Sequence, residues 1–181
     1  MKAFHNDPKI KDKYVSRVAE HIKLDHLIRG EGWNGFKGCA VGCTLENYNH
    51  ESYETELGIP EWLARVEDAL FENMSIEKSK TWPKVFLEAI PVGVDLEKTK
   101  SKFLVVVLES CLKSMDSAKF DAEKFPDVAK AIEGSKKAVT EMIRCHNENL
   151  DLSAAESAAW SAAWSAAESA AESARSAAES A

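Results

Sequence analysis

The stretch that decides the fold is SAAESAAWSAAWSAAESAAESARSAAESA, Ser153–Ala181, a repeated Ser-Ala-Ala phrase closed by Glu or Trp. Alanine has the highest helix propensity, and the stretch holds neither Gly nor Pro, so it predicts a long alanine-rich helix. It is long enough to keep some helix on its own. At about 100° per residue, a four-residue repeat overshoots one turn by about 40°, and the serines spiral around the axis. The phrase breaks once, at Ser173-Ala174-Arg175-Ser176, and the break brings Glu168, Glu172, Arg175 and Glu179 onto one narrow stripe. Trp160 and Trp164 lie beside that stripe. The opposite flank, with Ala155, Ala159, Ala162 and Ala166, presents methyl groups and admits a second helix at close range. Each methyl buries little area at roughly 25 cal/mol per Å², so the two tryptophans are the expected anchors.

Outward from this tail, the remaining chain has the length of one domain with room for a core. The expected organisation is a globular helical domain over residues 1–150 and a Ser/Ala-rich repeat helix over 151–181. The net charge of −7, with lysines scattered rather than clustered, argues against nucleic-acid binding. The serines and glutamates of the tail leave no continuous apolar span, and no basic face is present, so no membrane role is expected. Neither a charged start with an apolar run nor a cleavage site marks a secretory signal. Four cysteines in that setting read as reduced thiols of a cytoplasmic protein.

The rest of the chain is helical in pattern. Asp7-Pro8 is a capping carboxylate followed by proline at the first helical position, and the spacing predicts a helix from there to about Arg29, stopped by Gly30. Residues 30–43 read as an irregular glycine-rich loop. A short helix is expected after Asn49, another from Pro60, and one over residues 75–90 with a kink or fresh start at Trp82-Pro83. Asp95 reads as the cap of a helix to about Met115, whose apolar stripe includes Cys111 as plain core. Pro126 opens the last helix of the domain. The fold class is therefore all-α, a helical bundle of five or six helices plus the long C-terminal alanine-rich helix.

The candidate chemistry lies between two His–carboxylate pairs. His21 and Asp25 project from the apolar face of the first helix one turn apart, where the aspartate can orient the imidazole as base or ligand. The alternative is a core histidine paired with its helix neighbour. His26 sits at the edge of that face. His50 and Glu54 repeat the spacing, with a surface salt bridge as the plain alternative.

Between the pairs lies Lys37-Gly38-Cys39-Ala40-Val41-Gly42-Cys43-Thr44. Cys39 and Cys43 are two small buried residues in a tight loop, ligands of a divalent metal such as zinc, a nucleophilic thiol with an adjacent base, or oxidation-sensing thiols. A metal set would join Cys39 and Cys43 to His21 and His50, or to Cys145 and His146. A catalytic set would be Cys39 or Cys43 with His21, Asp25, His50 and Glu54, and hydrolysis or group transfer is the expected class. No phosphate-binding loop and no dinucleotide fingerprint is present.

The residues His21-Ile22-Lys23-Leu24-Asp25, Gly38 to Leu45, His50, Tyr53-Glu54, Leu57-Gly58-Ile59-Pro60 and Phe86 to Pro91 carry a resemblance. The chain resembles a group of uncharacterised bacterial and phage-borne proteins that end in alanine-rich, tryptophan-dotted repeats. That resemblance implies one domain plus a tail and attaches no activity. Two functions stay open: a pocket of Cys, His and acidic residues that binds a ligand or acts as an enzyme, and an assembly module. The module would self-associate as a homo-oligomer, or take a helical protein partner, through its tail.

Overall fold

A computed structural model describes residues 1–119 and 121–179. The protein is all-α: nine α-helices and no strand occur among the described residues. In chain order they are α1 (Pro8–Lys23), α2 (Ala40–Leu45), α3 (Ser52–Leu57), α4 (Glu61–Asn73), α5 (Ile76–Ser79), α6 (Trp82–Ala89), α7 (Lys100–Ser117), α8 (Pro126–Glu148) and α9 (Ser153–Glu179). No helix among them is long and apolar enough to cross a membrane. Tertiary contacts divide the chain into two units, Met1–Lys98 and Thr99 onward. The contacts thus part some fifty residues before the composition changes at about residue 151.

The first unit is built around α2. All six of its residues are buried, and it packs against α1, α4 and α6. Tyr14 and Val18 of α1, Tyr53 and Leu57 of α3, Phe71 of α4 and Leu87 of α6 close the core around it. The N-terminal turn, Ala3–Asn6, adds the fully buried Phe4. Phe4, His5 and Asn6 all have positive φ, a conformation that costs L-residues of order 1 kcal/mol each. Pairing Ala3 with Val94 (N···O 2.9 Å) and Gly93 with Ala3 (2.8 Å) holds the turn in place.

Asp7 caps α1 as the sequence predicts, accepting from the Lys9 amide at 2.9 Å, with Pro8 behind it. The end of α1 differs from expectation. It stops at Lys23 rather than near Arg29, because Asp25 takes a left-handed conformation (φ 54°). The His26 amide then reaches the His21 carbonyl (3.0 Å) and the Asp25 amide reaches Ile22 (3.1 Å), the paired bonds of a Schellman stop with Asp in place of Gly.

The glycine-rich run is the second correction. Residues 40–45 form a helix, not an irregular loop. Gly38 and Gly42 face the Gly32 carbonyl so closely that a Cβ at either would overlap that oxygen. The Cys39 amide donates to the carbonyls of Glu31 (2.9 Å) and Gly32 (3.1 Å). The ring of Tyr48 covers the other side of Gly32 and leaves no room there for a Cβ. The glycines therefore serve a backbone-on-backbone contact rather than the approach of a ligand.

In the second unit, α8 packs against both α7 and α9. Pro126 opens α8 as expected. Asp95 does not cap α7: a 3-10 turn, Leu96–Thr99, comes first, and Asp95 instead faces the N-terminal ammonium of Met1 at 3.7 Å. Few side chains are sealed in this unit: Ala131, Ala138 and Cys145 on α8, Ala155 on α9, and none on α7. Cys111, expected in the core, is exposed.

Gly42→Ala is expected to destabilise the protein by about 2–3 kcal/mol through overpacking, read as a lower urea midpoint with an unchanged slope. Gly134→Ala on α8 is the contrasting case. Its added carbon would lie 3.8 Å from the Cβ of Ala162, an ordinary contact, so a gain of roughly 0.5–1 kcal/mol is expected in the same assay.

Candidate functional site

The six expected site residues all lie in the first unit; Cys39 and His50 both come to the carboxylate of Asp68, and the other four take separate partners. Cys39 is the N-cap of α2, and its Sγ accepts from the Gly42 amide at 3.5 Å. Burial pushes this thiol far above its ordinary pKa, and the neighbouring Asp68 carboxylate adds to the rise. Cys43, one turn on, donates its S–H towards the carbonyls of Gly38 (3.4 Å) and His26 (3.6 Å). Burial pushes it up to about 12. A thiol held protonated in this way is not a ready nucleophile.

His21 takes other partners. Its Nδ1 lies 3.1 Å from Nδ1 of His26, and its Nε2 lies 3.7 Å from Oε1 of Glu46. At that distance one ring holds its proton on Nδ1 and the other accepts it. Burial, followed by the neighbouring His26, lowers the pKa of His21. Asp25 takes no part in this pair. The early stop of α1 turns it outward, where it is exposed and faces Lys80 Nζ at 3.3 Å. The one-turn His21–Asp25 pair read from the sequence is therefore replaced by a His21–His26 pair across the helix end.

His50 likewise takes a partner from outside its own helix. It precedes α3, and its Nε2 lies 3.1 Å from Oδ2 of Asp68 on α4. The Tyr48 hydroxyl donates to the same oxygen at 3.2 Å, and the Tyr48 and His50 rings meet edge to face. Glu54 instead accepts from the Glu61 amide at 3.1 Å, capping the start of α4. Among the described residues, no three His, Cys, Asp or Glu side chains converge to hold a metal ion. The expected zinc set of Cys39, Cys43, His21 and His50 is therefore not gathered as a group of three or more. Cys43 is engaged with the carbonyls of Gly38 and His26, His21 pairs with His26, and Cys39 and His50 lie beside Asp68.

The side chains that do come together include several the sequence reading passed over. Arg17, His21, Leu24, His26, Trp33, Phe36 and Glu46 line an open cavity of about 360 Å³. His21 meets Trp33 edge to face and His26 leans on Phe36. Arg17 is already engaged, with the Thr44 carbonyl (3.1 Å) and Glu46 (3.3 Å). Deeper in, the fully buried Glu67 of α4 accepts from the Tyr53 hydroxyl at 2.5 Å. Burial raises Glu67 to about 8, so it is mostly protonated at neutral pH. Oε1 of Glu67 and Oδ1 of Asp68 are buried without a hydrogen-bond partner among the described residues. Glu67 lies on the apolar face of α4, between Ala64 and Phe71, which is the signal that would have marked it.

Comparison of the chain with protein-family models, curated proteins and solved structures finds no match in any of the three.

Two measurements check this site. In a thiol titration of the native protein, Cys111 is expected to react at once, while Cys39 and Cys43 react only after denaturant is added. The second measurement is stability against pH. Folded Glu67 keeps its proton to about pH 8, whereas an ordinary glutamate releases it near 4.5. The folded state binds the extra proton in that window, so stability falls as pH rises through it. His21 acts in the opposite sense: its folded pKa lies below 6.5, so stability falls on acidification below that value. Between pH 6.5 and 8 Glu67 contributes a falling slope of at most ~1.4 kcal/mol per pH unit. Glu67→Gln should flatten it in urea melts.

Proposed function

We propose that the protein is a non-enzymatic interaction module. In this reading the first unit is a sealed scaffold, and the second unit is a helical bundle that takes a helical protein partner along the repeat helix. The observation that carries the reading is the placement of Trp160 and Trp164. They are 78% and 77% exposed, one turn apart on α9. The alanine side of the same helix is already occupied: Ala155 is buried, and Ala162 faces Gly134 of α8.

Two exposed indoles are a large unsatisfied apolar load. A tryptophan buries 150–250 Å², which at roughly 25 cal/mol per Å² amounts to about 4–6 kcal/mol for each ring removed from water. Tryptophan is also the side chain most enriched among binding hot spots. Charge favours a different chain over a second copy as the partner. The repeat holds four glutamates, Glu156, Glu168, Glu172 and Glu179, against one cation, Arg175, so two such helices side by side repel. A helix with apolar residues flanked by lysine or arginine meets both the indoles and the carboxylates. The raised pKa of Cys39 and Cys43, and the capping roles of Cys39 and Glu54, support leaving catalysis out of the reading.

The test titrates the full chain with an amphipathic leucine–lysine helical peptide and follows tryptophan emission. A blue shift with saturable binding is expected, weakened at least ten-fold in Trp160→Ala/Trp164→Ala. Sedimentation of the unliganded chain is expected to show a monomer. A dimer lost in the same double variant would replace this reading with self-association. Unchanged peptide affinity in the variant would reject the tryptophan face.

A further inference from the structure

The second unit contains a cavity of about 420 Å³ between α7, α8 and the start of α9. Its floor is aliphatic: Leu104, Val107 and Leu108 from α7, Met142 from α8, and Leu150 and Leu152 from the turn that follows. Its remaining lining is polar, with Lys100, Ser101, His146, Asn149 and Glu156. The volume falls in the range of small-molecule sites, and an apolar floor with a few polar groups is their usual make-up.

Two further observations point to an occupant. The unit does not fill its own interior: α7 buries no residue completely, although Leu104, Val105, Leu108 and Leu112 lie on it half-buried. Side chains in a protein interior ordinarily close-pack. The polar groups of the lining are also uncommitted. Among the described residues, neither Lys100 nor His146 forms an ion pair or a side-chain hydrogen bond, while Lys136, Lys137 and Arg144 of α8 all pair with carboxylates. Lys100, Ser101, His146 and Asn149 can all donate hydrogen bonds, and Glu156 is the only carboxylate among them.

We infer that this cavity binds an anionic amphiphile, a single alkyl chain on the aliphatic floor with a carboxylate-type head at Lys100 and His146. Neither Trp160 nor Trp164 lines this cavity, although Met142 and Glu156 also border Trp160. The apolar chain supplies the binding free energy, and the donors select the sign of the head.

The experiment is calorimetric titration of the full chain with dodecanoate below its micelle concentration, alongside dodecyltrimethylammonium and dodecanol. One-to-one binding of dodecanoate in the micromolar range is expected, at least ten-fold tighter than either competitor. Lys100→Ala/His146→Gln changes two solvent-reaching side chains and should weaken dodecanoate about ten-fold while leaving dodecanol unchanged. Leu108→Trp, which fills the floor, should abolish binding of all three, with circular dichroism showing retained helix. Trp164→Ala should leave binding intact. No binding of dodecanoate, equal binding of the cationic amphiphile, or undiminished affinity in the Lys100/His146 variant would overturn the inference. Loss of binding in Trp164→Ala would move the amphiphile to the tryptophan face and overturn it too.

Discussion

The first unit depends on the seating of the Gly32 carbonyl against Gly38 and Gly42. No side chain can stand between these backbones, so the loop over residues 30–38 lies directly on the start of α2. That contact places α2 at the centre, where all six of its residues are buried and three helices pack on it. It also settles the role of the cysteines. Cys39 sits at the N-cap and accepts from the Gly42 amide of α2, and Cys43, one turn later, donates to the carbonyls of Gly38 and His26 just outside it. Small size and weak hydrogen bonding suit that task, and burial keeps both thiols protonated.

Polar side chains around this centre form pairs that join one element to another or close the end of one. His50 and Tyr48 share Asp68, Tyr53 holds Glu67, and His21 meets His26 across the end of α1. Buried polar groups cost free energy unless partnered, so each pair restricts how its elements can pack. Glu67 shows the cost most directly. Its burial favours the protonated acid, and one of its oxygens stays without a partner among the described residues. Such pairs fix register more than they add stability.

The two units differ in the apolar side chains that they bury. The first seals aromatic side chains such as Phe4, Tyr14, Tyr53 and Phe71. The second packs by alanine and glycine, leaving Val106, Trp160 and Trp164 in solvent and an aliphatic cavity beside α7. Small residues allow helices to approach but bury little surface, so this unit is held less by its own core than by close backbone contact. The proposed partner helix and the proposed amphiphile would both be taken up by this unit.

Much of the helical framework was legible from local chemistry. Asp7-Pro8, Pro60, Trp82-Pro83 and Pro126 mark helix starts because capping and proline act through the few residues around them. Gly58 stops α3 with a left-handed turn for the same reason. The stop at Asp25 was hidden because aspartate adopts that conformation less readily than glycine. The helix at Ala40–Leu45 was hidden because its two glycines weaken it locally, and only the Gly32 contact explains them. Intrinsic propensity and composition thus determined that the chain is helical and that its tail is alanine-rich. Which imidazole meets which carboxylate, and whether a thiol is free, was decided by tertiary structure alone, because burial and pairing depend on segments that sequence spacing does not place side by side.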